Sequence, residues 1–342
     1  MVTDDPRKAF AEQICAAHEL TDRQQAVVSY CEELIRTSGE ISPPTRTGRI
    51  AQLLGLEAGP RPRVQLPLGL LDIETGQIFV KVPSPPHTDC PLNLESERIN
   101  IQECSRHSRP LTASERARMR FTYAHELGHA LFYDFTVRPT RRLAPSFQKR
   151  EEETLCNLAA SHLLHPPAWI APEFAMHDHP TGKLLCYCAK RYMSPLHAVT
   201  IRAANYFSNR LAPGSFFMLS RRIVSVKGWG EKKPRCVVAF LPNNLRSEGV
   251  SFLASYQGLN RIQRLDREGE RWSLEDMHDP HWWQPKTTSG PYLETLRCPD
   301  GSVVTLESTH SRLGDPATVW TEGHIEIVSG PAKKKRSKCA SI

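Results

Sequence analysis

A chain of 342 residues, 39% hydrophobic and 24% charged, has the balance of a globular protein of two or three domains and excludes a disordered or fibrous one. No stretch approaches the ~18 uncharged apolar residues of a membrane helix, and Asp4, Asp5, Arg7, Lys8 and Glu12 interrupt any signal-peptide core, so no membrane association is expected and the expected location is cytoplasmic. Five units of the +7 net charge sit on Lys333, Lys334, Lys335, Arg336 and Lys338, which makes residues 330–342 a basic disordered tail in this reading and leaves the body nearly neutral.

In chain order, residues 7–19 and 21–37 are predicted helices. In the second, Val27, Val28, Cys31, Leu34 and Ile35 recur at helical spacing, and Thr21 with Gln24 has the form of a capping box. Residues 45–56 read as a short helix closed by Gly55, and 67–82 alternate and turn at Glu74-Thr75-Gly76 like a β-hairpin. A polar, proline-rich insertion follows from 83 to about 109. Ser114 then begins a long helix reaching about Tyr133, and a loop rich in arginine and proline covers 136–149. A helix over 151–164 is halted by Pro166-Pro167, and two more span about 181–192 and 194–208. Beyond Pro213-Gly214 the runs "SFFMLS", "RCVVAFLP", "YLETLRC", "SVVTLES" and "TVWTEGHIEIV" are strand-like. The expected class is therefore α+β, with a mixed domain over 1–211 that includes the closing helices 181–208, and a β-rich domain over 214–329. The ten cysteines, scattered through the chain, read as reduced thiols; Cys186-Tyr-Cys188 is too closely spaced for a zinc knuckle.

Within the long helix, "FTYAHELGHALFYD" (121–134) sets His125 and His129 four residues apart. Four residues turn an α-helix by about 400°, so both imidazoles leave one face and can meet one ion at about 2 Å. Glu126 lies beside that face, close enough to take a proton from water at the ion without being a ligand. Phe121, Ala124, Leu127, Leu131 and Phe132 supply a core-facing stripe, and Gly128 is expected to remove bulk beside the ion. A catalytic zinc takes three protein ligands and leaves a position open, so a third ligand must come from another segment. "EEETLCN" (151–157) opens the next helix; Glu153 is the candidate and Glu152 the alternative, while Asn157 is placed to hydrogen-bond the outer nitrogen of a ligating histidine. Acidic residues in a first helical turn are also ordinary partners of the helix dipole. For a further donor to a developing oxyanion, Tyr133, Tyr123 and His162 are the candidates.

The run "RFTYAHELGHALF", followed by "ETLCNLAASHLLHPP", resembles the ImmA/IrrE family of zinc metallo-endopeptidases. The resemblance spans about residues 28–207: "ELIRTSGEISPP" and "GRIAQLLGL" are similar to the family's opening helices, "GLLDIETGQIFVKV" to its hairpin, and "RYMSPLHAVTIRAANYF" to its closing helix pair. It implies a zincin-like, gluzincin-type core with Zn2+ on His125, His129 and Glu153, Glu126 as general base, and cleavage of a protein partner, typically a helix-turn-helix repressor, in a stress or mobile-element response. It further implies a substrate held extended along a sheet edge beside the metal, with Gln77, Ile78, Phe79, Val80, Lys81 and Val82 as the candidate strand. His165-Pro166 stands where the family often has Met-Pro, and the loops 83–109 and 136–149 are longer than its pattern.

The alternative is a DNA- or partner-binding transcriptional regulator whose metal site is structural or vestigial. Residues 20–56 also resemble the winged-helix start of LexA-type repressors, and 188–207 has helix-turn-helix spacing around Ser194-Pro195. Arg46 and Arg49 are, however, few cations for a groove-reading helix. The β-rich part carries no chemical motif; its pattern is compatible with the GAF-like sensor domain of some IrrE-type proteins, and Trp282 and Trp283 read as core.

Overall fold

The computed structural model describes residues 6–63, 68–82, 112–207, 210–211 and the strands at 215–222, 234–240, 289–297, 303–313 and 315–329. The chain divides into two compact units, Met1–Met176 with Tyr187–Arg202, and His177–Cys186 with Ala203–Ile342. Its class is mixed α+β, rich in helices with small sheets. The predicted insertion at 83–109, Trp282, Trp283 and the basic run at 330–342 lie outside the described residues.

The first unit opens with α1 (Pro6–Ala16) and α2 (Leu20–Thr37), whose Val27, Tyr30, Cys31, Leu34 and Ile35 are buried. The helix begins one residue earlier than expected, with Glu19 as N-cap and no side-chain cap, so Thr21 lies inside the first turn. The capping box falls elsewhere, at Thr112 and Glu115, where the threonine hydroxyl accepts from the Glu115 N–H at 3.2 Å and the glutamate accepts from the Thr112 N–H at 2.8 Å. That box starts the central helix, α4 (Ala113–Ala130). Between them come α3 (Thr47–Leu53) and a sheet of β1 (Arg61–Arg63), β2 (Gly69–Asp72) and β3 (Gln77–Lys81).

β2 and β3 form the expected hairpin, turned by an Asp72 carboxylate that accepts from the N–H groups of Glu74 and Thr75 at 3.0 and 3.3 Å. Its edges are the reverse of the expectation. β3 is the central strand, parallel to β1 on one side and antiparallel to β2 on the other, so Phe79, Val80 and Lys81, paired on the β1 side as well, are not an open edge for a further strand. The reason is burial: Ile78, Val80 and Val82 alternate into the core, and a strand with one fully apolar face is drawn to the middle of its sheet. The two edges of this sheet are β1 and β2.

α4 (Ala113–Ala130) packs on β2 and β3 and on α5 (Lys149–Leu164), while α2 packs on α5. Gly128 does not face the ion side. A Cβ there would sit 2.9 Å from the Cα and carbonyl oxygen of Cys156, so this glycine lets α4 and α5 approach backbone to backbone. The loop between the two helices holds a short ladder, β4 (Tyr133–Asp134) against β5 (Arg141–Arg142), pairing Tyr133 with Arg142. α5 stops before the proline pair as expected, but Pro167 then sits at the start of a helix the pattern did not predict, α6 (Pro167–Ala175), where its missing N–H costs nothing. α7 (Gly182–Arg191) and α8 (Leu196–Phe207) follow.

In the second unit all five strand-like runs are strands: β6 (Ser215–Arg222), β7 (Pro234–Phe240), β8 (Ser289–Arg297), β9 (Val303–Leu313) and β10 (Asp315–Ser329). They form one antiparallel sheet in the order β7-β6-β10-β9-β8, in which Phe217 stacks on the buried Trp320 at 5.2 Å.

Candidate metal centre

α4 presents Arg118, Thr122, His125 and His129, spaced by three or four residues, along the floor of a cleft of about 650 Å³ in the first unit. β2 and Leu68 wall one side, and Pro195, just before α8, and His197, in its first turn, contribute from another. Glu152 and Glu153, near the start of α5, complete it.

The two histidines are oriented from behind. Nδ1 of His125 is 3.1 Å from Oδ1 of Asn157, and Nδ1 of His129 is 3.1 Å from a carboxylate oxygen of Glu152. Both partners only accept, so each Nδ1 carries the hydrogen and each Nε2 keeps its lone pair. Those lone pairs face Glu153, at 3.3 Å from His125 and 3.8 Å from His129. Acceptor facing acceptor is unfavourable unless a positive charge lies between them. A proton on His125 is a poor candidate, because burial first and the neighbouring His129 second push its pKa below the ordinary imidazole value. A divalent cation fits: one atom each of His125, His129 and Glu153 lie within 4.8 Å of one another, and tetrahedral bonds of about 2 Å put ligand atoms about 3.3 Å apart. Among the described residues these three are the group of His, Cys, Asp or Glu side chains close enough to share an ion. Glu152, the alternative ligand, is turned away to His129 and to Arg142, whose Nη2 donates at 2.9 Å.

Glu126 is 8% exposed and lies against β2. Burial raises its pKa above the ordinary carboxylate value, opposed in part by His129 and by the Leu71 N–H that donates to it. The close approach needs Gly69, since a Cβ there would collide with the Glu126 carboxylate and with Thr122.

Of the three expected oxyanion donors, Tyr133 lines the cleft. Tyr123 does not: its ring is buried, and its hydroxyl accepts from the Gly59 N–H at 3.1 Å. His162 does not either, because it points into the core, where Arg202 donates to its Nε2 at 3.0 Å. Both sit on the right helices but on their inward faces, a distinction of about 100° per residue that the motif alone does not resolve. His197, whose ring lies 5.9 Å from that of Phe121, and Arg142 were not anticipated as part of the site: the first lies in the helix-turn-helix-like stretch, the second in a loop with no motif. Cys188 is buried, and its thiol meets Glu173 at 3.4 Å. Arg46 and Arg49, the cations of the would-be DNA-reading helix, lie 4.0 and 3.6 Å from Glu40.

No family model matches the chain. It is similar to the radiation response metalloprotease IrrE of Deinococcus radiodurans, at 38% identity over 96 residues, which is 26% of this chain and 29% of that protein. The match thus spans less than a third of the relative. A solved Mycobacterium tuberculosis transcriptional regulator covers 94% of this chain and 80% of its own at 12% identity, with a TM-score of 0.38, a likeness too slight to carry weight for fold or function. Among the described residues no helix is long and apolar enough to cross a membrane.

Proposed function

We propose that this chain is a zinc-dependent endopeptidase with a zincin-like core, which cleaves a regulatory protein partner, a helix-turn-helix transcriptional repressor in a stress or mobile-element response. The observation that carries the reading is the convergence of His125, His129 and Glu153 with a buried carboxylate, Glu126, beside them on the cleft floor. The partial likeness to a metalloprotease supports it.

Bound Zn2+ would supply a Lewis acid that polarises the scissile carbonyl and makes water acidic enough to lose a proton near neutral pH. His125, His129 and Glu153 would hold the ion, and Asn157 and Glu152 keep the two imidazoles aimed at it. Glu126, raised by its burial, takes the proton from water and returns it to the leaving amine. Tyr133 offers its hydroxyl to the oxyanion. Substrate lies extended along the open edge of β2, whose Leu70 and neighbouring Leu68 expose apolar side chains to the cleft. Arg46 and Arg49 are few cations for a groove-reading helix, which favours the peptidase reading over the DNA-reading alternative.

The test is metal analysis of the purified chain together with cleavage of a candidate repressor, such as one encoded by a neighbouring gene, by wild type and Glu126→Gln. Stoichiometric zinc in both, with cleavage by wild type alone, is expected; equal cleavage by both overturns the assignment of the base.

A further inference from the structure

We propose that Arg142 is a positioning residue that joins Tyr133 to the histidine face of the metal centre and holds Glu152 as the acceptor behind His129. The helix-to-helix loop, which has no counterpart in the motif, delivers it. β5 carries Arg142 opposite Tyr133 in the two-residue ladder, and the guanidinium lies 5.2 Å from the Tyr133 ring centre. Its donors are spread over four acceptors: Nε to the Ala144 carbonyl at 3.0 Å, Nη1 to the Tyr133 hydroxyl oxygen at 2.8 Å, and Nη2 to Glu152 at 2.9 Å and the Pro145 carbonyl at 3.3 Å. The other Glu152 oxygen meets His129 Nδ1, so a continuous chain runs from Tyr133 through Arg142 and Glu152 to a candidate ligand.

Two consequences follow from the geometry. Because Arg142 donates to the tyrosine oxygen, the phenolic hydrogen is left to point elsewhere, and Tyr133 borders the cleft. Because Glu152 is clamped between a guanidinium and an imidazole, it is fixed as the acceptor that keeps the His129 ring aimed at the ion position. A lysine could neutralise Glu152 but could not also hold the tyrosine and the two loop carbonyls, since only the planar fork reaches in several fixed directions.

The deciding experiment is a double-mutant cycle on zinc affinity, measured by chelator competition on the full chain and therefore independent of whether a substrate is known. Arg142→Ala and Glu152→Gln are each expected to weaken zinc binding about tenfold, and the double variant also about tenfold rather than a hundredfold, because both break one chain. Tyr133→Phe is expected to leave zinc affinity within about twofold, and Arg142→Lys to recover most of the loss. Wild-type affinity in Arg142→Ala, or penalties that multiply in the double variant, would overturn the proposal. Thermal unfolding of each variant separates a fold defect from a site defect, and Arg142→Lys keeps the cycle readable where alanine unfolds the loop. The Tyr133 arm alone rests on the peptidase reading: there Arg142→Lys and Tyr133→Phe are expected to lower kcat by a similar factor with little change in KM. Should wild type cleave nothing, the peptidase reading fails while the zinc cycle still judges Arg142.

Discussion

Two pairs of histidines lie in the first unit, and they have opposite fates. His125 and His129 stand on α4 with acceptors behind them and a carboxylate in front. His162 and His165, at the end of α5, are buried beside Arg202, which donates to His162 and to the His165 carbonyl at 3.2 Å. Burial first and the Arg202 charge second push the pKa of each down to about 3. The same residue type, at similar helical spacing, thus becomes a candidate cation site where negative groups converge and a neutral core element where a cation is already present. Histidine count says nothing about metal; the sign of the neighbouring charge does.

The largest expected effect sharpens the first half of that contrast. Glu126→Gln should lower kcat by about 10²- to 10⁴-fold while leaving zinc content unchanged, measured on the same preparation. Gly69→Ala should act on the same carboxylate from across the cleft; displacing it by an ångström costs about 10² in rate, again with zinc retained. Unaltered turnover in Gly69→Ala would mean that β2 does not position the base. Because Glu126 must be ionised to act, kcat/KM should fall at the acid end of its pH profile.

Smaller effects test the second half. His162 and His165 have folded pKa values of about 3, below the ordinary 6.5. Between those limits the unfolded chain binds protons that the folded one refuses. Their contribution is therefore full above pH 6.5 and is lost as pH falls toward 3, at up to about 1.4 kcal/mol per pH unit for each histidine. Urea unfolding of the apoprotein across that window reads the slope, and His165→Met should make it shallower by the share of one histidine. An unchanged slope in that variant would show that His165 is not held neutral in the fold.

The helices were legible because their apolar spacing is local: Val27, Cys31 and Leu34 mark a face whatever packs on it. So was the pairing of His125 with His129, which one helical turn guarantees. Tyr123 and His162 were misplaced because a helix position names a direction only once the core is known, and the core lies on their side. The hairpin was readable as a hairpin, but not as a middle and an edge, since β1 reaches β3 from a separate stretch of chain.

What the sequence by itself determined is thus the longer helices, the β2–β3 hairpin, the strands of the second unit and the two-histidine helix, all products of periodicities shorter than a dozen residues. Only the tertiary structure decided that Glu153 rather than Glu152 turns to the ion position, that β2 rather than β3 offers an edge, and that Arg142 reaches Tyr133 and Glu152 together. Each of those depends on contacts between segments whose relative placement is set by buried apolar faces and by charge across space, and neither is written in any one stretch of residues.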